Sequence, residues 1–184
     1  MNTTQYEDVS EQCSLAELIE NIEQIHHRFT RDQLQRIKLL IHGLEPSKQI
    51  EASELIAYFD ALNADLVPHL LKEEHILFPY IVAMETDSRS PPVSCFGRIT
   101  NPIRMMQIEH ASVKSLQEKF RKMTSDYAAT HSQHDGHLTE IYAALTELDH
   151  DLMQHMHWED DVLFPRAMEM EMQDNPSNIN HSQS

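Results

Sequence analysis

The segments HLLKEEHILFP (residues 69–79) and HMHWEDDVLFP (155–165) share one pattern: a histidine, a glutamate four positions later, then Leu-Phe-Pro. Four residues on an α-helix advance about 40° beyond one full turn, so His69 and Glu73 project from one face, as do His155 and Glu159. The apolar residues around them keep the same phase. Leu62, His69 and Ile76 recur at seven-residue intervals, alongside Phe59, Leu66, Glu73 and Tyr80. Ile141, Leu148, His155 and Val162 do likewise, alongside Leu138, Leu145, Leu152 and Glu159. Both His-x-x-x-Glu pairs therefore lie on core-facing stripes, where leucine is the ordinary occupant.

Two further helices complete the pattern. Ser14-Leu15-Ala16-Glu17 is a capping-box sequence and opens a helix that runs to His42-Gly43, where Gly43 and Pro46 close it. His27, Leu34 and Ile41 mark its inner face. The next helix is expected from near Ser53 to Pro79 or a turn beyond, followed by a long loop over residues 86–101. Asn101-Pro102 reads as an N-cap with proline at the first helical position, opening a helix to about Thr124 whose stripe is Ile103, Met106, His110, Val113 and Phe120. A polar link, TSDYAATHSQHDG (124–136), leads to the last helix, from about His137 to Glu171. Each half of the chain thus carries a helix with one inward histidine, then a helix with an inward His-x-x-x-Glu. Four amphipathic helices with mostly short connections predict an all-α, up-down four-helix bundle with a pseudo-twofold repeat of two helix pairs. The bundle is expected over residues 14–171, between a flexible N-terminus (1–13) and a disordered tail (172–184).

Composition narrows the function classes. A chain of 184 residues suits one domain, and three glycines among many Leu, Ile, Met, Glu and Gln favour helix. A net charge of −16 repels phosphate backbones and anionic lipid, so neither nucleic acid nor a membrane surface is an expected partner. The opening MNTTQYEDVSEQ has no signal-peptide layout, and no apolar run approaches a membrane span. Cys13 and Cys95 form no disulfide framework, which fits a reduced, cytoplasmic location. Thirteen histidines in an acidic chain point toward metal.

A buried, ionised carboxylate costs several kcal/mol unless it is paired. A lone core histidine is usually a hydrogen-bonded structural residue, but this arrangement is doubled and in register. Four imidazoles and two glutamates facing one core remove the cost if cations sit between them. The count suits two metals, each with two histidines, bridged by Glu73 and Glu159. Imidazole with carboxylate fits iron better than manganese or zinc, and the lack of thiolates argues against copper(I) or a cluster. With one bridging oxo, each iron has five donors and one open position for a small diatomic molecule or peroxide. The other histidines fall elsewhere. His75 and His157 face solvent, His26 lies beside the site or at the surface, and His42 is too far along its helix. His131, His134 and His137 read as a solvated loop cluster, and the acidic runs as solvated faces.

These residues resemble a known family. PIRMMQIEH (102–110), HLLKEEHILFP and HMHWEDDVLFPRAMEME (155–171) are similar to the hemerythrin-like (HHE) domain of the di-iron "repair of iron centres" proteins, over roughly residues 14–171. The resemblance implies a non-haem di-iron site with ligands His27, His69, Glu73, His110, His155 and Glu159, the two glutamates bridging. It also implies repair of iron–sulfur clusters damaged by nitric oxide or oxidative stress, with damaged iron–sulfur proteins as partners and nitric oxide or oxygen as small ligand. Iron donation, nitric oxide reductase-type chemistry and peroxide chemistry all fall within it. Many members carry a small N-terminal domain with a cysteine pair, which the dozen residues before Ser14 do not supply. His42-Gly43 resembles a further family element, but the intervening segment is shorter, so no ligand role is carried over. Hemerythrins that carry oxygen offer two histidines four apart on the third helix. Here Lys114 follows His110 at that spacing, which favours the repair-type site over the oxygen carrier, while the open position weakens pure storage. A hemerythrin-like oxygen-binding or sensing protein and an iron storage or donor protein are the alternatives.

Overall fold

The computed structural model describes residues 13–86, 95–128 and 136–174. Five helices run through them, with no strand among the described residues. Helix α1 joins Leu15–Asn21, Ile22–His27 and Arg28–His42; α2 is the short Pro46–Glu51. Helix α3 joins Ser53–Lys72, Glu73–Leu77 and Phe78–Thr86; α4 is Thr100–Thr124; α5 joins Gly136–His157, Trp158–Leu163 and Phe164–Asp174. The middle segments of α1, α3 and α5 are π-helical turns.

The helix starts show how the two halves repeat. Ser14 and Glu17 form the expected capping box, with Ser14 Oγ accepting from the Glu17 N–H. Glu85, near the end of α3, accepts from the N–H groups of Leu15 and Ala16 at 2.7 and 2.9 Å. Glu171, near the end of α5, accepts from the Ile99 N–H at 2.7 Å. In each half the second long helix thus supplies a carboxylate to the N-terminus of the first, where N–H groups have no intrahelical partner. This changes the expected start of α4. Asn101 is not its cap; α4 opens at Thr100, and the Asn101 side chain donates to the Phe96 carbonyl. Pro102 is tolerated because the first turn has no acceptor for its missing N–H. Pro46, expected only to close α1, opens α2.

Neither Leu-Phe-Pro ends its helix. The Phe78 N–H bonds to the Glu73 carbonyl, and the Phe164 N–H to the Glu159 carbonyl, five residues back in each case. In a regular α-helix, Pro79 and Pro165 would crowd the carbonyl four residues earlier. The wider turn relieves that crowding and lets the chain continue to Thr86 and Asp174. It also inserts one residue, which rotates the stripe. Ile76, expected inside, is 49% exposed, and Tyr80 and Val162 are only partly buried. Leu77, Phe78, Ile81 and Met84 fill the core on α3 instead, as Leu163, Phe164 and Ala167 do on α5.

The most extensive packing is α1 against α5 and α3 against α4. Two apolar clusters result. One holds Leu34, Ile37, Phe59, Leu62, Leu66, Phe120, Ile141 and Leu148; the other holds Leu15, Ile22, Leu77, Phe78, Ile103 and Phe164. On each long helix the inward His or Glu residues fall between the two. Successive long helices meet the two clusters in alternating order. The polar layer is sealed above and below by apolar side chains.

Candidate metal centre

The six residues singled out from the sequence meet in that layer, all of them buried. Two groups, His27, Glu73, His155, Glu159 and His69, Glu73, His110, Glu159, each bring four donor atoms within 4.8 Å of one another. The groups share both glutamates. Two of the three π turns end or begin at one of these residues, His27 and Glu73, and the third contains Glu159. Such turns often occur at functional positions because they re-aim side chains out of the regular helical phase.

All four imidazoles turn Nε2 inward. His27 and His155 bring these atoms to 3.0 Å, and His69 and His110 to 3.1 Å. Two nitrogens bound at about 2.1 Å and right angles to one ion lie about 3 Å apart, so each pair has the spacing of neighbouring octahedral ligands. Glu159 reaches both pairs, with Oε1 2.9 Å from His155 Nε2 and Oε2 3.2 Å from His110 Nε2. Glu73 Oε2 lies 3.5 Å from His27 Nε2 and 3.3 Å from His69 Nε2. Both Glu73 oxygens and Glu159 Oε2 are buried without a hydrogen bond. Buried polar atoms are rarely left so, and cations between the carboxylates would satisfy all three. The residues present therefore fit a pair of metal ions.

The electrostatics of the protein groups alone are frustrated. Burial, reinforced by the neighbouring Glu159, pushes the Glu73 carboxyl well above its ordinary range. Burial would raise Glu159 too, but His155 and the surrounding imidazoles overcome it and hold that carboxyl well below the usual range. Burial lowers His69 to about 4. His110, also buried, is instead pushed up to about 9 by Asp160 and Glu159. One layer thus holds carboxyls and imidazoles driven in opposite directions, a pattern typical of functional sites.

Outer carboxylates orient three of the rings. His27 Nδ1 lies 2.8 Å from Glu74 Oε1, and Arg31 donates to the other Glu74 oxygen at 2.6 Å. His110 Nδ1 lies 2.9 Å from Asp160 Oδ1, and Lys114 donates to Oδ2 at 3.2 Å. His69 Nδ1 lies 2.9 Å from Glu109 Oε2, with Lys72 on the other oxygen. A carboxylate only accepts, so it fixes the proton on Nδ1 and leaves the Nε2 lone pair facing inward. These acids were expected on solvated faces. Their sequence signal was adjacency: each stands beside a proposed ligand, as in Glu73-Glu74, Glu109-His110 and Glu159-Asp160.

The remaining histidines sort by burial. His75, His157 and His42 are exposed. His26 is buried and bonds through Nδ1 to Asp151 at 2.9 Å. His137 is exposed at the start of α5, with its ring against Gly43, while His131 and His134 lie outside the described residues. Lys114 serves Asp160 and is no part of the inner layer.

An all-helical fold closed around a buried layer of four imidazoles and two carboxylates defines a class: helical proteins with an internal site able to hold metal. Residues 17–167 match the family model of the hemerythrin HHE cation binding domain, and the chain belongs to that family, which implies iron binding. It is 31% identical over 166 residues to the "Iron-sulfur cluster repair protein YtfE" of Edwardsiella ictaluri, covering 85% of this chain and 67% of the relative. It is 29% identical over 162 residues to a "Probable iron-sulfur cluster repair protein" of Haemophilus influenzae, covering 85% of this chain and 66% of the relative. Against the YtfE protein of Salmonella schwarzengrund it is 30% identical over 158 residues, covering 84% and 66%. The chain spans about two thirds of the length of these relatives. Among the described residues, no helix is long and apolar enough to cross a membrane.

Proposed function

We propose that the chain is an up-down four-helix bundle over residues 14–171 that holds two iron ions, oxo-bridged, and serves in the repair of iron–sulfur centres damaged by nitric oxide or oxidative stress. One observation carries this reading: two four-residue donor groups share the same two buried glutamates. His27 and His155 would hold one ion, His69 and His110 the other, with Glu73 and Glu159 bridging. The names of the relatives support the repair role, and a net charge of −16 disfavours nucleic acid as a partner.

Bound iron would supply one-electron redox change and an open coordination position for a small diatomic molecule. The protein's own groups do the rest. Glu74, Glu109 and Asp160 hold the Nδ1 protons of His27, His69 and His110, which keeps each Nε2 basic and aimed inward. Phe78 and Phe164 lie beside the rings of His27 and His110, with centroids 5.5 and 6.1 Å away, and help to keep bulk water out. The partners of this reading are nitric oxide or oxygen as small ligand and a damaged iron–sulfur protein in the cytoplasm.

The test uses iron-loaded, reduced protein. Two irons per chain, reaction with nitric oxide, and recovery of a nitrosylated iron–sulfur enzyme are the expected results. A long-lived, reversible oxygen adduct with no recovery of the enzyme would instead identify an oxygen carrier.

A further inference from the structure

The two halves of the site differ in what backs the histidine of the His-x-x-x-Glu pair. Glu109 immediately precedes His110 and accepts from His69 across the helix pair. The residue that stands to His27 as Glu109 stands to His110 is His26. Its ring lies nearly parallel to that of His155, with centroids 5.7 Å apart and planes 4° from parallel. His155 Nδ1 is buried and has no hydrogen-bond partner, the only one of the four Nδ1 atoms so placed. Its neighbour Asp151 is bonded to His26 instead. Where Lys72 follows His69 and braces Glu109, Trp158 follows His155.

From this asymmetry we infer that the two metal positions are unequal: the one at His69 and His110 holds its ion firmly, and the one at His27 and His155 is exchangeable. The inference rests on the di-iron reading proposed above. A carboxylate on Nδ1 makes an imidazole a stronger ligand and fixes its orientation, and loss of such a partner typically costs about 10–100-fold in metal affinity. At the first position both imidazoles are backed by acids, Glu109 and Asp160. At the second only His27 is, through Glu74. An imidazole beside His155 supplies no negative charge, so it cannot replace that acid. Glu73 and Glu159 serve both positions and cannot produce the difference. The chain would therefore keep one ion as an anchor for the bridging glutamates while the other leaves, which suits delivery of iron one ion at a time.

The test starts from the iron-loaded, reduced full chain, challenged anaerobically with a ferrous chelator. Half the iron should leave at least about tenfold faster than the rest. Anomalous diffraction from crystals of the half-depleted protein should place the retained iron at His69 and His110. His26→Glu restores an acid beside His155 and should bring the two release rates together, whereas Glu109→Gln should speed loss of the slow ion. Single-phase release from the unaltered chain, retention at His27 and His155, or an unchanged gap in both variants would overturn this assignment of a firm and an exchangeable position while leaving the di-iron centre intact. Failure of the loaded chain to retain any iron would overturn the centre and this inference together.

Discussion

Glu159 Oε2 lies 3.2 Å from His110 Nε2 yet forms no hydrogen bond. The two atoms are close without being aligned as donor and acceptor, and both residues belong to one compact group of donors. Glu73 behaves similarly, with both oxygens buried and unpaired between His27 and His69. Donor atoms that converge without pairing are costly in a closed core, and this geometry makes definite demands on variants.

Removing one of the two glutamates shared by the donor groups should separate iron-bound from iron-free stability. Glu73→Gln keeps the volume and removes the group that burial disfavours as a charge. In the iron-free chain at neutral pH it should raise stability by about 1–3 kcal/mol, because burial raises the Glu73 carboxyl well above its ordinary range, so folding must take up a proton that Gln does not require. In the iron-loaded chain it should lower both iron content and melting temperature. Paired melting curves with and without iron check this, and equal shifts in both states would contradict it.

The exposed histidines provide the contrast. His75→Ala and His157→Ala should change iron content negligibly and stability by no more than about 0.5 kcal/mol, because both side chains face solvent. Elemental analysis of the purified variants is sufficient. A loss of iron comparable to that of His69→Ala would mean that the inward-facing set has been misassigned.

Asp160→Asn should weaken iron binding about 10-fold or more without unfolding the chain. It preserves shape but weakens the acceptor for His110 Nδ1 and removes the ion pair with Lys114. Competition with a chelator of known affinity gives the change, and circular dichroism shows whether helix is retained. Unaltered affinity would show that this outer carboxylate does not support the ligand.

The π turn in α3 can be tested by neighbouring truncations. Leu77→Ala should cost about 2–5 kcal/mol, whereas Ile76→Ala should cost no more than about 0.5 kcal/mol. Leu77 is buried and Ile76 is 49% exposed. Chemical denaturation of the two variants measures the difference. The reverse order would indicate a regular α-helix through residues 73–77.

The inward stripe of His27, His69, Glu73, His110, His155 and Glu159 was legible in the residues because helical periodicity is local and polar groups are rare on an apolar seam. The helix starts at Ser14 and near Ser53, and the end at Thr124, were legible for the same reason: caps and breakers act within one turn. The π turns were not. Residues such as EEHIL and WEDDVL can bond four or five positions back with little local preference, and the balance is set by the buried ends of Glu73 and Glu159 and by the prolines beyond them. Nor were the roles of Glu74, Glu109 and Asp160. Each lies about 100° around its helix from a core position, so an isolated helix presents it to solvent. A neighbouring helix places an Nδ1 atom against it. His26 shows the same division: its position beside His27 is a matter of sequence, while its burial against His155 and its bond to Asp151 arise from the packing of α1 on α5.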